Sequence, residues 1–231
     1  NYNRNQTQSM KKSTIYRAIF YIAGLLILAL GIVLNTKSGL GVSPIISISY
    51  SVSIIYDLNF GNATFALYAV FVAVEIILHL IRRPEGSLMI TLGKDLLQLP
   101  LSLVFTRFMN LFSALLPEPK GFLPQLTVLI AAIVLTGIGA AMSLNMRVIP
   151  NPGDGIVQAI ADFARKPVGI TKNCFDLFDV CLTALICVAA GHKVLGIGIG
   201  TVLAVLGVGR VIALFNHLFM KKMDALAGLE R

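Results

Sequence analysis

The residues best suited to chemistry in this sequence lie between positions 173 and 183. Asn173, Asp176 and Asp179 recur at every third position, and Thr183 follows Asp176 by seven positions. In a helix, residues at these spacings share one face, so the segment is expected to carry an amide, two carboxylates and a hydroxyl in one stripe. A stripe of this composition can bind a cation or relay protons.

Composition places this stripe in a membrane. Of 231 residues, 56% are hydrophobic and 13% are charged, and the mean hydropathy is +0.83. Soluble domains carry about a quarter charged residues, so we expect an integral membrane protein and exclude a soluble enzyme, a disordered chain and a disulfide scaffold. In a membrane protein an excess of Lys and Arg, here a net charge of +8, is explained by the orientation of the chain in the bilayer. We therefore expect no nucleic-acid partner.

Six apolar runs have close to the roughly 20 residues that a membrane-spanning helix requires. They cover 17–36, 62–81, 88–116, 122–146, 172–190 and 194–219. Two further apolar segments, 43–56 and 153–166, have only 14 residues each. As helices they would be about 21 Å long, against a hydrocarbon core of about 30 Å, so neither is expected to span the bilayer.

The two short segments differ in pattern. In 153–166 the apolar residues Ile156, Ile160 and Phe163 recur with helical spacing. In 43–56 serine alternates with apolar residues, which taken alone favours a strand. A lone strand in lipid leaves its backbone N–H and C=O groups unpaired, so we predict a helix there as well.

An internal repeat relates the two halves of the chain. A shift of 108 positions places Gly31 on Gly139 and Pro44 on Pro152, and it aligns the apolar runs and the short segments. Each unit then reads as helix, break, half-helix, helix, helix. Because each unit has three spans, an odd number, the two units are expected to lie in opposite orientations in the membrane.

The distribution of Lys and Arg supports this topology, because cytoplasmic loops carry their excess. With six spans and the N-terminus inside, 13 basic residues fall inside and three outside. If both short segments crossed, the ratio would fall to 11 inside and five outside. The inner residues are Arg4, Lys11, Lys12, Arg17, Arg82, Arg83, Arg147, Arg165, Lys166, Lys172, Lys221, Lys222 and Arg231, and the outer ones are Lys37, Lys120 and Lys193.

The expected fold is therefore an all-α membrane protein of the cell membrane with both termini in the cytoplasm. It has six transmembrane helices as two inverted three-helix repeats, each with a short broken or re-entrant half-helix. In chain order its expected parts are a cytoplasmic tail at 1–16, a first repeat at 17–116 with the half-helix 43–56, a second repeat at 122–219 with the half-helix 153–166, and a cytoplasmic tail at 220–231.

Several motifs resemble one family of bacterial membrane proteins. They are GLGVSPIISISYSVS and GNATFALY in the first half, and NPGDGIVQAI, GITKNCFD and GTVLAVLGVGRVIALFN in the second. Over most of residues 20–220 they resemble the YczE/YyaS/YitT-type family. The resemblance implies a multi-pass protein of the bacterial cytoplasmic membrane, usually described as a transporter or permease without an assigned substrate.

The chain departs from this family at two places. Where family members often carry a Glu in the Gly/Pro turn, this chain has Asp154, which keeps the carboxylate. Where they often carry a charged pair before the Gly-Thr motif, this chain has only apolar residues and glycine between Gly196 and Gly200, so a role of that pair is not carried over.

Ionisable residues inside apolar spans mark functional sites, because a buried charge costs about 2.5 to 3.5 kcal/mol on insertion scales. Arg210 can pair with Asp176 or Asp179 as a structural ion pair, or it can leave one carboxylate free for a cation or a proton, and both alternatives stay open. An excess of buried acids favours a cationic solute or proton coupling. In the predicted topology the cytoplasmic half contains Glu75, Asp95, Asp176, Asp179 and Arg210.

The turns SGLGVSP and NPGDG form the second candidate constellation, because Pro and Gly interrupt both helices. If the short helices are re-entrant, Ser43, Pro44, Gly153 and Asp154 lie at two helix N-termini with free N–H groups at mid-bilayer. Inverted-repeat transporters hold substrate in this way. If the short helices lie flat at the interface, Ser43 and Asp154 act only as N-caps.

The function expected from these residues is transport of a small solute, either cationic or coupled to protons. Two alternatives stay open: a non-enzymatic receptor or accessory subunit of a larger complex, and an intramembrane enzyme. No catalytic residue is predicted, because His79, His192 and His217 have no partners at catalytic spacing. No cofactor or metal site is expected, and the expected partners are the solute and the lipid bilayer, with a homo-oligomer or partner subunit left open.

Overall fold

The computed structural model describes residues 2–82 and 86–229, with side chains from residue 12 onward. Over these residues the chain forms eight α-helices and no strand, so the all-helical expectation is confirmed. In chain order the helices are α1 (Tyr2–Lys37), α2 (Pro44–Ile55), α3 (Phe60–Ile81), α4 (Leu88–Leu115), α5 (Phe122–Asn145), α6 (Pro152–Ala164), α7 (Val168–Ala189) and α8 (Ile199–Ala227).

Five of these helices are long and apolar enough to cross a membrane, judged by length and composition. They are α1 from Lys12 onward, α3, α4, α5 and α8. α7 is long enough to cross with 22 residues, but every stretch of 18 residues within it contains the three charged residues Lys172, Asp176 and Asp179, so it is not among the five. The protein is a multi-pass membrane protein with five candidate spans among the described residues.

The two short helices lie where the sequence predicts them. α2 has 12 residues and α6 has 13, and each begins at a proline, Pro44 or Pro152, whose missing N–H is not needed in a first turn. The alternating serines of α2 fit into a helix, because the hydroxyls of Ser47, Ser49 and Ser53 each donate to the carbonyl three residues earlier. Such bonds satisfy a hydroxyl inside an apolar helix.

Both predicted tails are helical where they are described. α1 begins at Tyr2 and so includes most of the predicted tail 1–16, and α8 continues to Ala227, past the predicted boundary at residue 219. Hydropathy marks where a helix leaves the hydrocarbon, and the backbone hydrogen bonds continue beyond that point. Gly228 follows the last residue of α8 as its C-cap and adopts a left-handed conformation with φ of 65°.

α1 and α5 form a close antiparallel pair. A Cβ on Gly31 would lie 2.5 Å from the backbone N of Thr136, and a Cβ on Gly139 would meet the backbone of Leu28. Only glycine allows the two backbones to approach this closely, which is a common use of glycine between membrane helices.

Contacts at the two ends of this pair define the ends of the bundle. Arg17 donates hydrogen bonds to the carbonyls of Met146 and Arg147, at 2.7 and 2.9 Å. At the other end of α1, the ammonium of Lys37 lies 3.5 Å from the carboxylate of Glu118, which precedes α5. We refer to them as the Arg17 end and the Lys37 end.

α3 and α4 are antiparallel neighbours. The Nδ1 atom of His79 lies 2.7 Å from Oδ2 of Asp95 near the end of α3 and the start of α4. Lys94 lines a cavity together with Arg147. The end of α3 and the start of α4 therefore lie at the Arg17 end.

α6 runs along one half of α3. Its first turn lies near the middle of α3, where Asp154 interacts electrostatically with Tyr68. Its last turn reaches the end of α3, where Arg82 donates a hydrogen bond to the carbonyl of Phe163. α6 therefore extends from the middle of the bundle to the Arg17 end.

α2 runs along the other half of α3. The hydroxyl of Ser49 accepts a hydrogen bond of 3.2 Å from Thr64, one turn after α3 begins. The side chain of Ile45, in the first turn of α2, lies against Gly153 in the first turn of α6. The two short helices therefore meet at their N-termini and point toward opposite ends of the bundle.

Candidate functional site

The buried face of α7 carries the acidic stripe expected from the sequence. α7 packs against both short helices, and its buried residues include Asp176, Asp179 and Thr183. Asp176 is 5% exposed and Asp179 is fully buried. Two carboxylates of one helix are thus enclosed beside the junction of α2 and α6.

Asp176 has a basic partner within its own helix. The Nζ atom of Lys172 lies 3.2 Å from Oδ1 of Asp176, one turn earlier in α7. The Lys172 side chain is 42% exposed, whereas that of Asp176 is 7% exposed. The base therefore reaches the buried carboxylate from the edge of the site.

Asp179 has no such partner. Both of its carboxylate oxygens are buried and neither forms a hydrogen bond. The nearest polar pair along α7 is the 2.7 Å hydrogen bond between the hydroxyls of Thr183 and Ser47, which joins α7 to α2. A buried carboxylate without a donor is costly, so this group requires a cation, a proton or a donor from outside the described side chains.

Asp154 brings a third carboxylate to the same place. It lies in the first turn of α6, is half-buried, and interacts electrostatically with Lys172 and Asp176. Asp179 also interacts with Asp176 and Lys172. The site therefore combines three carboxylates with one ammonium group, and we refer to these four side chains as the acidic site.

The N-termini of the short helices do not offer the free N–H groups expected from the sequence. Asn151 caps α6, because its side chain accepts from the Gly153 N–H and its carbonyl accepts from the N–H groups of Asp154 and Gly155. The Ser43 N–H, just before α2, donates to the side chain of Asn35 at 2.6 Å. A proline follows each cap, so these termini are largely satisfied within the chain.

Asn173 and Arg210 lie outside the acidic site. Asn173 is exposed, because a step of three residues turns a helix by about 300° and six residues accumulate a drift of about 120° from Asp179. Lys172, four residues before Asp176, reaches the acidic site from its edge instead. Arg210 is exposed on α8 and forms no ion pair within the described part of the chain, so it does not neutralise the acids of α7.

Glu75 belongs to a separate polar pair. It lies on α3, is 1% exposed, and accepts a hydrogen bond of 2.7 Å from the amide of Gln98 on α4. The sequence pattern groups Glu75 with the acids of α7, but in the structure its hydrogen-bond partner is Gln98 of α4. The sequence does not identify Gln98 as a partner, because an uncharged amide in an apolar run does not stand out from its neighbours.

Cavities lie at both ends of the bundle. One of about 150 Å³ lies at the Lys37 end and is lined mainly by Gly39–Val42 and Gly196–Gly198. The other, of about 210 Å³, lies at the Arg17 end and is lined by Lys94, Ser143, Leu144 and Arg147–Pro150. The acidic site lines neither of these two cavities, so it is enclosed between helices in this conformation.

Metal ligation has little geometric support. Throughout the described residues, no three His, Cys, Asp or Glu side chains come close enough to hold a metal ion. The three carboxylates share a neighbourhood without converging on one point.

Comparisons with known proteins identify related sequences. The profile of a family of unknown function, DUF6198, matches residues 15–217. The "Uncharacterized membrane protein YczE" of Bacillus subtilis (strain 168) is 25% identical over 206 residues, which cover 88% of this chain and 86% of that protein. An "Uncharacterized protein" of Haemophilus influenzae (strain ATCC 51907 / DSM 11121 / KW20 / Rd) is 23% identical over 195 residues, covering 84% and 81%.

No solved structure matches the chain significantly. The resemblance to YczE-type proteins, first drawn from the Gly/Pro-rich motifs, is confirmed by the family profile and by the Bacillus protein. The name of the Bacillus protein describes a membrane protein, and neither relative's name assigns an activity. The chemistry of the site is therefore the basis for a function.

Proposed function

Because the chain belongs to DUF6198, a family of unknown function matched here over residues 15–217, we propose a function from the site itself. The protein is a non-enzymatic membrane transporter for a small organic cation. The solute binds among Asp154, Asp176 and Asp179, where the two short helices meet α7.

The observation that carries this proposal is the state of Asp179. Its carboxylate is fully buried and both oxygens lack a hydrogen-bond partner. Two further carboxylates lie nearby, and the one base among them, Lys172, already pairs with Asp176. An ammonium or guanidinium group supplies both the charge and the donors that Asp179 lacks.

We further propose six spans, with α7 as the sixth, and two inverted repeats. The 108-residue shift supports this, because it converts the contact of Gly31 with Thr136 into that of Gly139 with Leu28. A pair of contacts that exchange under one shift is the signature of a pseudo-two-fold axis. In this topology α2 and α6 are re-entrant half-helices and neither crosses the membrane.

A second pair of contacts supports the same axis. The shift converts the hydrogen bond between Ser47 and Thr183, which joins α2 to α7, into the contact between Gly155 and Glu75, which joins α6 to α3. Each half-helix is thus held against a long helix of one repeat in an equivalent way.

The two cavities support an alternating path to the site. The shift places the segment Gly39–Val42, from the cavity at the Lys37 end, on Arg147–Pro150, from the cavity at the Arg17 end. Equivalent openings at opposite ends are what alternating access between two repeats requires. The solute enters through one cavity, reaches the enclosed acids, and leaves through the other.

We propose that the Arg17 end faces the cytoplasm. Basic residues concentrate there, including Arg17, Arg82, Lys94 and Arg147, whereas Lys37, Lys120 and Lys193 lie toward the Lys37 end. An excess of Lys and Arg marks the cytoplasmic side of a multi-pass protein. The N-terminal end of α1 and the C-terminal end of α8 then lie in the cytoplasm.

Purified protein in liposomes tests the proposed function. We expect methylammonium or guanidinium, applied as a gradient to the full chain, to produce a transport current that Asp179→Asn abolishes. Asp57→Asn is the matched control, because Asp57 is an exposed loop residue whose left-handed φ of 51° suits Asn. Binding without current in the unmodified protein would overturn transport in favour of a receptor or accessory subunit.

A further inference from the structure

Glu75 and Gln98 form a buried polar pair that the acidic site does not use. Glu75 on α3 and Gln98 on α4 are each 1% exposed. The Nε2 atom of Gln98 donates to Oε2 of Glu75 at 2.7 Å. The two remaining oxygens, Oε1 of Glu75 and Oε1 of Gln98, are buried and have no hydrogen-bond partner.

These oxygens gather at the backbone of α6. A Cβ built on Gly155 would lie 2.8 Å from both oxygens of Glu75 and 3.0 Å from Oε1 of Gln98. All three oxygens therefore lie around one small volume, and the absence of a side chain at Gly155 makes room for them. Of these three acceptors only Oε2 of Glu75 receives a hydrogen bond, from Nε2 of Gln98, and no described group donates to the other two.

A carboxylate and a primary amide cannot satisfy each other edge to edge. The amide edge presents one donor and one acceptor, whereas an ionised carboxylate presents two acceptors. The facing edges therefore hold three acceptors and one donor. Exchanging the O and N atoms of the Gln98 amide does not change these numbers, so the assignment of the two atoms does not affect the argument. One proton on the carboxyl group supplies the missing donor, because the protonated acid presents one donor and one acceptor, as the amide does.

We propose that Glu75 and Gln98 form a proton-binding site distinct from the acidic site. Glu75 binds a proton on Oε1 and donates it to Oε1 of Gln98, while Gln98 donates its amide N–H to Oε2 of Glu75. The two side chains then form a closed pair with two hydrogen bonds. When the proton leaves, Gln98 Oε1 and Glu75 Oε1 face each other as acceptors and the pair must separate.

Among the described side chains, no cation pairs with Glu75 in place of the proton. On α4 the charged groups are Asp95, which pairs with His79 of α3, the exposed Lys94, and Arg107, which donates to Asn62. Among the described ion pairs none involves Glu75. The other packed elements add only distant or acidic groups: α2 has no Asp, Glu, Lys or Arg, α6 has Asp154 and the exposed Asp162, and α7 has the acidic site.

The N-terminus of α6 does not supply a donor either. The N–H groups of Gly153, Asp154 and Gly155 are all accepted by Asn151. An ionised Glu75 at this position would therefore face a backbone whose N–H groups are already satisfied. Loss of the proton is expected to push α6 away from α3, which couples proton release to the half-helix that carries Asp154. This coupling role rests on the proposed function, whereas the proton site itself does not.

Infrared spectroscopy of the purified full chain in detergent tests the proton site without any transport assay. At neutral pH we expect a carbonyl band of a protonated carboxylic acid that is lost in Glu75→Gln. Gln98→Leu should shift that band, because it removes the hydrogen-bond partner. Glu118→Gln is the matched control, since the Glu118 side chain is 79% exposed and should leave the band unchanged.

Glu75→Gln is expected to fold, because two facing amides can form the same pair of hydrogen bonds. Should it fail to fold, labelling the unmodified protein with ¹³C-glutamate gives the same information, since the band must then shift. A band that persists in Glu75→Gln, or that shifts with ¹³C-aspartate and not with ¹³C-glutamate, would overturn the proton site. If the unmodified protein shows the Glu75 band but carries no transport current in liposomes, the result counts against the proposed function and not against the proton site.

Discussion

Ile45 lies against Gly153, so the first turns of the two short helices are in direct contact. The 108-residue shift that relates the two halves of the chain places Ile45 on Gly153 itself. A contact between two equivalent positions lies on the axis that relates the repeats in our proposal. The small side chain on one partner and the large one on the other let the two turns approach each other.

The first prediction concerns this contact. Gly153→Val is expected to destabilise the protein by about 1 to 3 kcal/mol, because a Cβ on Gly153 would lie 2.9 Å from Cδ1 of Ile45 and the larger side chain overpacks the junction. Ile45→Ala added to Gly153→Val should restore most of the loss. Thermal unfolding in detergent measures both effects.

Gly169→Val is the control for this pair. Gly169 also lies in the first turn of a helix, but a Cβ there meets nothing within 4 Å. Its unfolding free energy should change by about 0.5 kcal/mol or less. Equal destabilisation by both valine substitutions, without rescue by Ile45→Ala, would mean that the two half-helices do not meet as described.

The positions of the short helices follow from sequence alone because two independent constraints agree. Pro44 and Pro152 each set a helix start, and the apolar length that follows is too short to cross a bilayer. The sequence also predicts a helix in the serine-rich segment, because an unpaired strand in lipid would leave its backbone N–H and C=O groups without partners. These constraints are local, so they need no knowledge of neighbouring helices.

Only part of the acidic site can be predicted from the sequence. The buried carboxylates Asp176 and Asp179 are predictable from their spacing in an apolar run, but Asn173 is not, because three-residue steps drift around the helix. The partner of Asp176 is Lys172, four residues earlier, and not Arg210 from another helix. Partners across helices depend on packing, which a pattern within one segment does not determine.

The second prediction concerns topology. In a chain whose three native cysteines are replaced by alanine, a cysteine placed at Lys120 should react with a membrane-impermeant maleimide in intact cells. A cysteine placed at Arg147 should react only after the membrane is opened, because the Arg17 end faces the cytoplasm in our proposal. Both Lys120 and Arg147 are exposed on the protein surface.

Opening the cells provides the control, since both cysteines should then be labelled. Labelling of the Arg147 position in intact cells would contradict the proposed orientation. Labelling of both positions in intact cells would contradict the odd number of spans that separates the two loops.

The third prediction concerns Arg210. Arg210→Gln is expected to leave solute binding unchanged and not to lower the unfolding free energy, because Arg210 is exposed on α8 and forms no ion pair with the acids of α7. Combined with Asp176→Asn, its effect on stability should be additive. A rescue of Asp176→Asn by Arg210→Gln in thermal unfolding would instead indicate a structural ion pair between them.

The last prediction separates the two buried acids of α7. Asp179→Asn is expected to reduce binding of methylammonium or guanidinium about tenfold or more, because a hydrogen bond to a charged group contributes about 1.5 to 3 kcal/mol. Its unfolding free energy should not fall, since the substitution removes a buried carboxylate that has no partner. Asp176→Asn should lower stability by about 1 kcal/mol at most, because its partner Lys172 is 42% exposed.

Isothermal titration and thermal unfolding of both variants measure these effects. If Asp179→Asn unfolds the protein while Asp176→Asn binds normally, Asp179 stabilises the helix bundle through a contact of its own and does not hold the solute.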